Sequence, residues 1–150
     1  MQVKDVMSKE VVSVSSDMDL HRFAELLIEK NISGAPVVDA DDNFLGVALE
    51  EGLIFQDKKV HLPTFIHLSL GFLTLETQRF EEEIKKIAAT KVSDILEEDC
   101  VTVRPDIEIE EVATMMIEKG LHYYPVVEEG KVVGVVTKKD IVRAIAQGKL

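Results

Sequence analysis

The stretch GVVTKKD, Gly134 to Asp140, places a hydroxyl and a carboxylate three residues apart at the end of an apolar run. Thr137 and Asp140 fit two kinds of chemistry. In a Ser/Thr-x-x-Asp/Glu capping box they would start a helix. In a binding site the carboxylate could accept charge-assisted hydrogen bonds from a ligand, and such bonds are about twice as strong as neutral ones. The two interpretations are compatible, because a residue at a helix start can also face a cleft.

A near twin of this stretch, GVALEEG, occurs earlier in the chain from Gly46 to Gly52. It keeps the glycine and the apolar run but has Leu49 and Gly52 where the later copy has Thr137 and Asp140. A requirement of the fold should be met in both copies, whereas a binding requirement could be met in only one. The difference therefore favours a binding role for the later pair.

The two stretches close a repeat that covers most of the chain. The segment 3–54 aligns with 92–142, and both copies contain IEK and PVV. The polar turn after PVV is one residue shorter in the second copy. We assign residues 1–55 to the first repeat, 56–90 to a structured joining segment and 91–150 to the second repeat. Each repeat predicts the order β-α-β-β-α from its hydrophobic periodicity.

Several residues are expected to delimit the helices of the repeat. Asp17 and Asp106 are predicted N-caps, and Asn31 and Gly120 are predicted to end the helices, since both tolerate positive φ. A single unit would bury only about 60% of its unfolded surface, which is marginal for stability. We therefore expect the two copies to pack through their sheet faces, with clefts where they meet.

The composition excludes several function classes. Asp and Glu outnumber Lys and Arg by 28 to 17, a formal charge of −11 that disfavours nucleic acid and anionic membrane surfaces. The single cysteine, Cys100, is expected to be a buried apolar residue, and it indicates a reducing, cytoplasmic location. The N-terminus does not look like a signal peptide. The most apolar run, 60–75, is too interrupted for a membrane helix.

No pattern in the sequence indicates an enzyme or a metal site. The phosphate-binding loop, the zinc-protease helix and the nucleophile elbow are all missing from the sequence. His61 and His67 are six residues apart, which places them on different faces of a helix. No cationic cluster in the sequence marks a place for phosphates.

The repeat, together with ISGAPVVD, LHYYPVVE and the closing GVVTKKD, resembles a tandem pair of CBS domains, also called a Bateman module. The resemblance implies a mixed α/β (α+β) fold in which two β-α-β-β-α repeats pack as a pseudo-two-fold pair. It also implies regulation rather than catalysis. The ligand would be an adenosine-containing compound (AMP, ADP, ATP or S-adenosylmethionine), and no cofactor is required.

The resemblance also implies which residues would bind that ligand. Asp140 would bind the ribose, Thr137 a ribose or phosphate oxygen, and Lys139 would lie nearby. Gly34 would leave room for the flat base. The remaining predicted ligand-binding residues are Val135, Val12, Ser13, Ile32, Ser33, Ala35, Pro36 and His122.

A second, degenerate cleft is predicted on the other side of the pair. Without a ribose anchor it is expected to be empty or to bind something else. Its predicted lining is Val101, Leu121, Tyr123 and Val47. Tyr123 and Tyr124 could stack on a base, although core or interface positions are the more common role of aromatic residues beside a strand.

The alternative is a ligand-free structural or interaction module that acts through dimerisation or partner binding. The degenerate GVALEEG and the apolar part of the joining segment, 62–75, favour it. That apolar part is predicted to pack against its own module or to form a dimer or partner surface. The following stretch predicts a helix with Glu-to-Lys pairs at i, i+4. A homodimer is expected from the resemblance, and the regulated protein is not identified.

Overall fold

The computed structural model describes residues 1–55 and 90–150 of the chain. The predictions for His61, His67, the apolar run and the helix of the joining segment lie outside the described residues. Within the two described ranges, no helix combines the length and hydropathy that a membrane span requires.

The first repeat contains one three-stranded sheet with helices before, between and after its strands. In the sheet, β1 pairs in parallel with β2, and β2 pairs antiparallel with β3. The elements are α1 (Val3–Val6), β1 (Val14–Ser15), α2 (Leu20–Lys30), β2 (Gly34–Val38), β3 (Phe44–Leu49) and α3 (Glu50–Phe55).

The second repeat follows the same order with a two-stranded antiparallel sheet. An isolated parallel bridge between Val103 and Val126 takes the place of the first strand. The elements are a 3₁₀ turn (Val92–Asp94), α4 (Ile109–Lys119), β4 (Tyr123–Glu128), β5 (Lys131–Thr137) and α5 (Lys138–Ala146).

The predicted ends of the two long helices are confirmed. Asn31 follows α2 with φ of 51° and Gly120 follows α4 with φ of 65°, both left-handed. This conformation turns the chain out of the helix and into the next strand.

The predicted helix starts are wrong by two residues. The helices begin at Leu20 and Ile109, and neither Asp17 nor Asp106 is the residue that precedes them. The amide of Asp17 instead donates to the Ser15 hydroxyl at 3.2 Å, within a turn before the helix. An Asp two residues too early is therefore part of the turn, although its type suits a cap.

The described residues form two hydrophobic cores, one for each repeat. The first comprises Val14, Leu20, Phe23, Leu26, Leu27, Ala35, Val37, Ala48, Val92 and Ile95. The second comprises Val3, Val103, Ile109, Val112, Met116, Tyr124, Val126 and Val136. Each core thus includes side chains from the segment that begins the other repeat. We call residues 1–8 and 91–97 the crossing segments.

Backbone hydrogen bonds hold the crossing segments in a reciprocal arrangement. Ser8 exchanges two with Val135 at 2.9 and 3.0 Å, and Glu97 exchanges two with Val47 at 2.9 and 3.1 Å. The sheet of each repeat is thus extended by a segment from the other.

These crossings explain why both repeats have a glycine at the equivalent position, Gly46 in the first and Gly134 in the second. A Cβ at Gly134 would approach Met7 Cγ to 2.9 Å and the Ser8 carbonyl oxygen to 3.1 Å. A Cβ at Gly46 would collide with the Glu97 carbonyl oxygen. Both glycines therefore serve the fold, which agrees with their presence in both copies.

Candidate functional site

A cavity of about 390 Å³ lies between the first repeat and the β5–α5 corner of the second. Small-molecule pockets span about 300–1,000 Å³, so the volume suits a ligand of modest size. The wall comprises Ser8, Glu10, Val11, Val12, Asn31, Ile32, Ser33, Gly34, His122, Tyr123, Val135, Thr137, Lys138, Lys139, Asp140 and Arg143.

Asp140 is the most buried charged residue on this wall, with 2% of its surface exposed. Its Oδ2 accepts from the Thr137 amide at 2.7 Å and from the Thr137 hydroxyl at 2.9 Å. Its Oδ1 accepts from the Ser8 hydroxyl and from Arg143 Nη1, both at 2.8 Å. A carboxylate has about four acceptor sites, so the chain's own donors use them all.

Local structure places this carboxylate where α5 begins. Thr137 is the last residue of β5 and the N-cap of α5, and Asp140 bonds back to its amide as in a capping box. One helical turn later, Arg143 reaches the same carboxylate. The capping role predicted for Thr137 and Asp140 is therefore present, and the same pair also lies on the cavity wall.

Most of the predicted ligand-binding residues come together on this wall. Those placed there are Asp140, Thr137, Lys139, Val135, Val12, Ile32, Ser33, Gly34 and His122. Ser13, Ala35 and Pro36 are not part of the wall: Ser13 is exposed to solvent, and Ala35 and Pro36 are buried in β2. Ligand contacts of all these residues stay a prediction.

Several wall residues escaped sequence reasoning, most notably Ser8. It reaches the cavity because residues 1–8 cross to the second repeat, which periodicity within one repeat does not reveal. The i, i+3 spacing of Asp140 and Arg143 was a usable signal for Arg143. The full set of missed residues is Ser8, Glu10, Val11, Asn31, Tyr123, Lys138 and Arg143.

Gly34 does not provide open space for a base in the direction of its missing side chain. A Cβ there would meet Leu49 Cδ2 at 2.6 Å and the Ala48 carbonyl oxygen at 2.9 Å. Gly34 and Leu49 are direct cross-strand partners. The interpretation of Gly34 as room for a base is corrected accordingly, since Leu49 fills that space.

The equivalent pair in the second repeat is Tyr123 and Thr137, again one large and one small side chain. Tyr123 was predicted for the second cleft, but it lies on the wall of the first. The reason is its position opposite Thr137, at the β5 end that borders the cavity. Burial raises the pKa of the Tyr123 phenol.

The other residues predicted for the second cleft lie apart from this cavity. Val47 is buried and pairs with Glu97 of the crossing segment. Val101 is half-buried and packs against the second core, whereas Leu121 is partly exposed. Whether these residues bind anything stays a prediction.

Gly52 occupies the first-repeat position equivalent to Asp140. A Cβ at Gly52 would lie 3.1 Å from Cβ of Ile95, a core residue of the crossing segment. The first copy thus packs an apolar side chain where the second keeps a carboxylate. Cys100, expected to be buried, is half-buried, and burial raises the pKa of its thiol.

The cavity wall carries four basic side chains, three of them close together in the sequence. Lys138 and Lys139 lie beside Arg143 and His122, and all four are exposed at the wall. Within residues 1–55 and 90–150, neither lysine forms an ion pair. The expectation that no cationic cluster exists is therefore corrected, since Lys138, Lys139 and Arg143 belong to α5 and His122 directly precedes β4. Across the same described ranges, no group of three or more His, Cys, Asp or Glu residues could hold a metal ion.

Comparison with known proteins identifies the family. The model of the CBS domain matches residues 3–56 and 92–147. Protein MJ1426 of Methanocaldococcus jannaschii is 32% identical over 154 residues, which cover 97% of this chain and 91% of the relative. CBSX2 of Arabidopsis thaliana is 27% identical, and the matched region covers 93% of this chain and 59% of that sequence.

Solved structures share the fold. The structure of CBSX2 in complex with AMP superimposes with a TM-score of 0.73 at 24% identity, covering 99% of this chain and 98% of that one. The CBS domain pair of MJ0100, in complex with 5′-methylthioadenosine and S-adenosylmethionine, gives 0.68 at 22% identity, covering 97% and 99%. These likenesses confirm the predicted mixed α/β fold. The chain belongs to the CBS-domain family and contains two CBS domains in tandem.

Proposed function

We propose that this chain is a regulatory module that binds an adenosine nucleotide in the cavity between its repeats. The observation that carries the proposal is the meeting of Asp140, Thr137 and the early strand region of the other repeat on one wall. The complexes of CBSX2 with AMP and of MJ0100 with S-adenosylmethionine support a ligand of the adenosine class.

The charge on the wall favours a ligand with a phosphate. Lys138 and Lys139 line the cavity together with one further carboxylate, Glu10, and the charge of Asp140 is paired with Arg143 at 2.8 Å. S-adenosylmethionine carries a sulfonium, an ammonium and a carboxylate group and is a net cation, which the two lysines attract less than a phosphate. We therefore propose AMP, ADP or ATP in preference to S-adenosylmethionine.

Calorimetric titration with AMP, adenosine and S-adenosylmethionine tests this proposal. We expect AMP to bind most tightly, with an affinity that falls as salt is added, because exposed charges are screened by salt. The double variant Lys138→Ala/Lys139→Ala should lose most of the advantage of AMP over adenosine. Lys119→Ala, an exposed lysine at the end of α4 and away from this wall, is the matched control.

A thermal-unfolding screen provides an independent measurement. A ligand at 100 times its dissociation constant should stabilise the folded state by about 2.7 kcal/mol. No shift with any adenosine compound would contradict the proposed function.

One observation favours the alternative of a ligand-free interaction module. All acceptor sites of Asp140 are used within the chain, so this carboxylate is satisfied without any ligand. A module of this kind would show no response to nucleotides and would act through its surface. The titrations above distinguish the two functions.

We also propose that the module forms a homodimer. Ile28 in α2 and Ile117 in α4 occupy equivalent positions of the repeat and are 83% and 84% exposed. Val142 and Ile145 of α5 are exposed as well. Large exposed apolar patches mark association surfaces, and the proposed dimer would bury these side chains together. A cytoplasmic location stays a prediction, and the regulated protein is not identified.

A further inference from the structure

The two oxygens of Asp140 serve different parts of the molecule. Among the described residues, Oδ2 accepts from Thr137 alone, three residues away, and these bonds belong to the start of α5. Oδ1 accepts from Arg143, whose side chain is half exposed, and from Ser8, which is 132 residues away in the chain. A ligand that leaves the helix start intact must therefore reach Oδ1 and replace one of these two donors.

The Ser8 hydroxyl is the donor whose position resembles that of a ligand hydroxyl. It lies on the cavity wall and approaches Asp140 from outside the second repeat. Arg143, in contrast, reaches the carboxylate from the same helix. Displacing the Arg143 guanidinium would leave Asp140 without its cationic partner, which costs more than exchanging one hydroxyl for another.

Ser8 is also the last residue of the crossing segment 1–8. Its backbone pairs with Val135, and Met7 packs closely over Gly134. Three contacts thus hold this end of the segment to the second repeat, and the Ser8 side chain makes the one that faces the cavity. Whatever displaces that hydroxyl weakens the attachment of the segment.

The first repeat shows what the same crossing looks like without this bond. Glu97 occupies the place of Ser8 and pairs with Val47 through two backbone hydrogen bonds. Gly52 stands in the place of Asp140, so no carboxylate is available to bond with the crossing side chain. The two crossings differ mainly in this side-chain contact, which makes the Glu97 crossing an internal control.

We propose that Ser8 competes with the ligand's ribose for Oδ1 of Asp140, so that nucleotide binding displaces the Ser8 hydroxyl and loosens the crossing segment 1–8. The proposal rests on the proposed function, because it requires a ligand with ribose hydroxyls. Occupancy of the cavity is then coupled to the attachment of residues 1–8 to the second repeat. The first repeat lacks this coupling.

Titration of the Ser8→Ala variant with AMP tests the competition. The variant has no hydroxyl to displace, so we expect it to bind AMP about tenfold more tightly than the wild type, in the range of one hydrogen bond to a charged group. Ser8→Thr keeps the hydroxyl and should bind AMP like the wild type. Ser93→Ala, an exposed serine in the crossing segment 91–97 that is not on the wall, is the control.

A ligand without the diol shows whether the ribose is the competitor. For 2′,3′-dideoxy-AMP we expect either equal affinities of the wild type and Ser8→Ala or no binding to both. A tenfold gain for this compound as well would overturn the proposal, because the gain would then arise from space rather than from hydrogen bonding.

Hydrogen exchange measures the predicted loosening directly. On saturation of the wild type with AMP, the amides of Ser8 and Val135 should exchange at least severalfold faster, while those of Glu97 and Val47 stay unchanged or slow down. The proposal would be overturned if AMP changed the exchange rates of all four amides equally.

The competition and the proposed function can be wrong independently of each other. If the wild type binds AMP and Ser8→Ala binds it equally or more weakly, the competition is wrong and the proposed function stands. If the wild type binds no adenosine compound, the proposed function is wrong and the competition falls with it.

Discussion

At the scale of single residues, the Asp140 carboxylate joins three parts of the molecule. It closes the start of α5 through Thr137, holds Arg143 one turn later, and accepts from Ser8 of the crossing segment. A buried carboxylate is tolerated because charged and polar donors surround it. Structural and binding roles therefore coexist in one side chain.

The contrast between GVALEEG and GVVTKKD also has a residue-scale cause in packing. Leu49 fills the space beside Gly34, whereas Thr137 leaves room for its partner Tyr123. Each cross-strand pair thus combines one large and one small side chain. The departure of the first copy from the pattern is a compensated exchange of volume and not only the loss of a site.

Gly34→Ala should destabilise the protein because its Cβ would overlap Leu49 and the Ala48 carbonyl. We expect a loss of about 1–3 kcal/mol in the free energy of unfolding, as for overpacked cores. Leu49→Ala should relieve part of the strain, so the double variant should lose less than the sum of the two single changes. Urea unfolding measures all three, and strict additivity would contradict the packing argument.

The family resemblance predicted much of the candidate site. The repeat and the resemblance indicated Thr137, Asp140, Val12, Ile32 and Ser33, which the structure places on one wall. The positions of Ser8 and Tyr123 were not accessible in this way. The first depends on which repeat a segment joins, and the second on which end of a strand borders the cavity.

At the scale of elements, the reciprocal crossing segments bury apolar side chains of one repeat in the core of the other. Val3 is fully buried in the second core, and Val92 is fully buried in the first. Each repeat therefore depends on an apolar side chain that belongs, by sequence, to the other.

Val3→Ala should destabilise the second repeat and Val92→Ala the first. Each change removes buried methyl groups and leaves a cavity, for which we expect a loss of about 2 kcal/mol. Hydrogen exchange should localise the effect of Val3→Ala to β4, β5 and α4. Ile28→Ala, on an exposed helix position, should change stability by less than about 0.5 kcal/mol.

Two other hydrogen-exchange results for Val3→Ala would contradict the role given to the crossing segment 1–8. If Val3→Ala accelerated exchange in β2 and β3 instead, the crossing described here would be incorrect. A change confined to residues 1–8 would show that the segment adds little to the second core.

The elements themselves were predictable to different degrees. The two long helices and the β2–β3 and β4–β5 hairpins followed from periodicity and from Asn31 and Gly120. The helix starts were misplaced because polar residues that suit a cap also suit the preceding turn. The crossing was not predictable, since hydrophobic periodicity shows that a segment is buried but not against which partner.

At the scale of the whole molecule, the exposed apolar side chains of the helices predict self-association. The double variant Ile28→Glu/Ile117→Glu should be monomeric, because it places two like-charged groups on each copy where an apolar surface would be buried. Light scattering after size-exclusion chromatography compares its mass with that of the wild type. The wild type should have twice the mass of one chain.

The affinity for AMP serves as a control that the double variant keeps its fold and its cavity. AMP affinity of the double variant should stay near that of the wild type, since neither isoleucine lines the cavity. A monomeric wild type, or a double variant that stays dimeric, would contradict the assignment of this surface.

The reciprocal crossing has a further consequence for how such a chain could be divided or could have arisen. A polypeptide carrying only one repeat would have its leading segment free and its own sheet edge uncovered. Two such polypeptides could satisfy each other by trading leading segments, as in a swapped pair. The tandem chain is then the covalently joined form of that pair, and two separately expressed halves should reassemble when mixed.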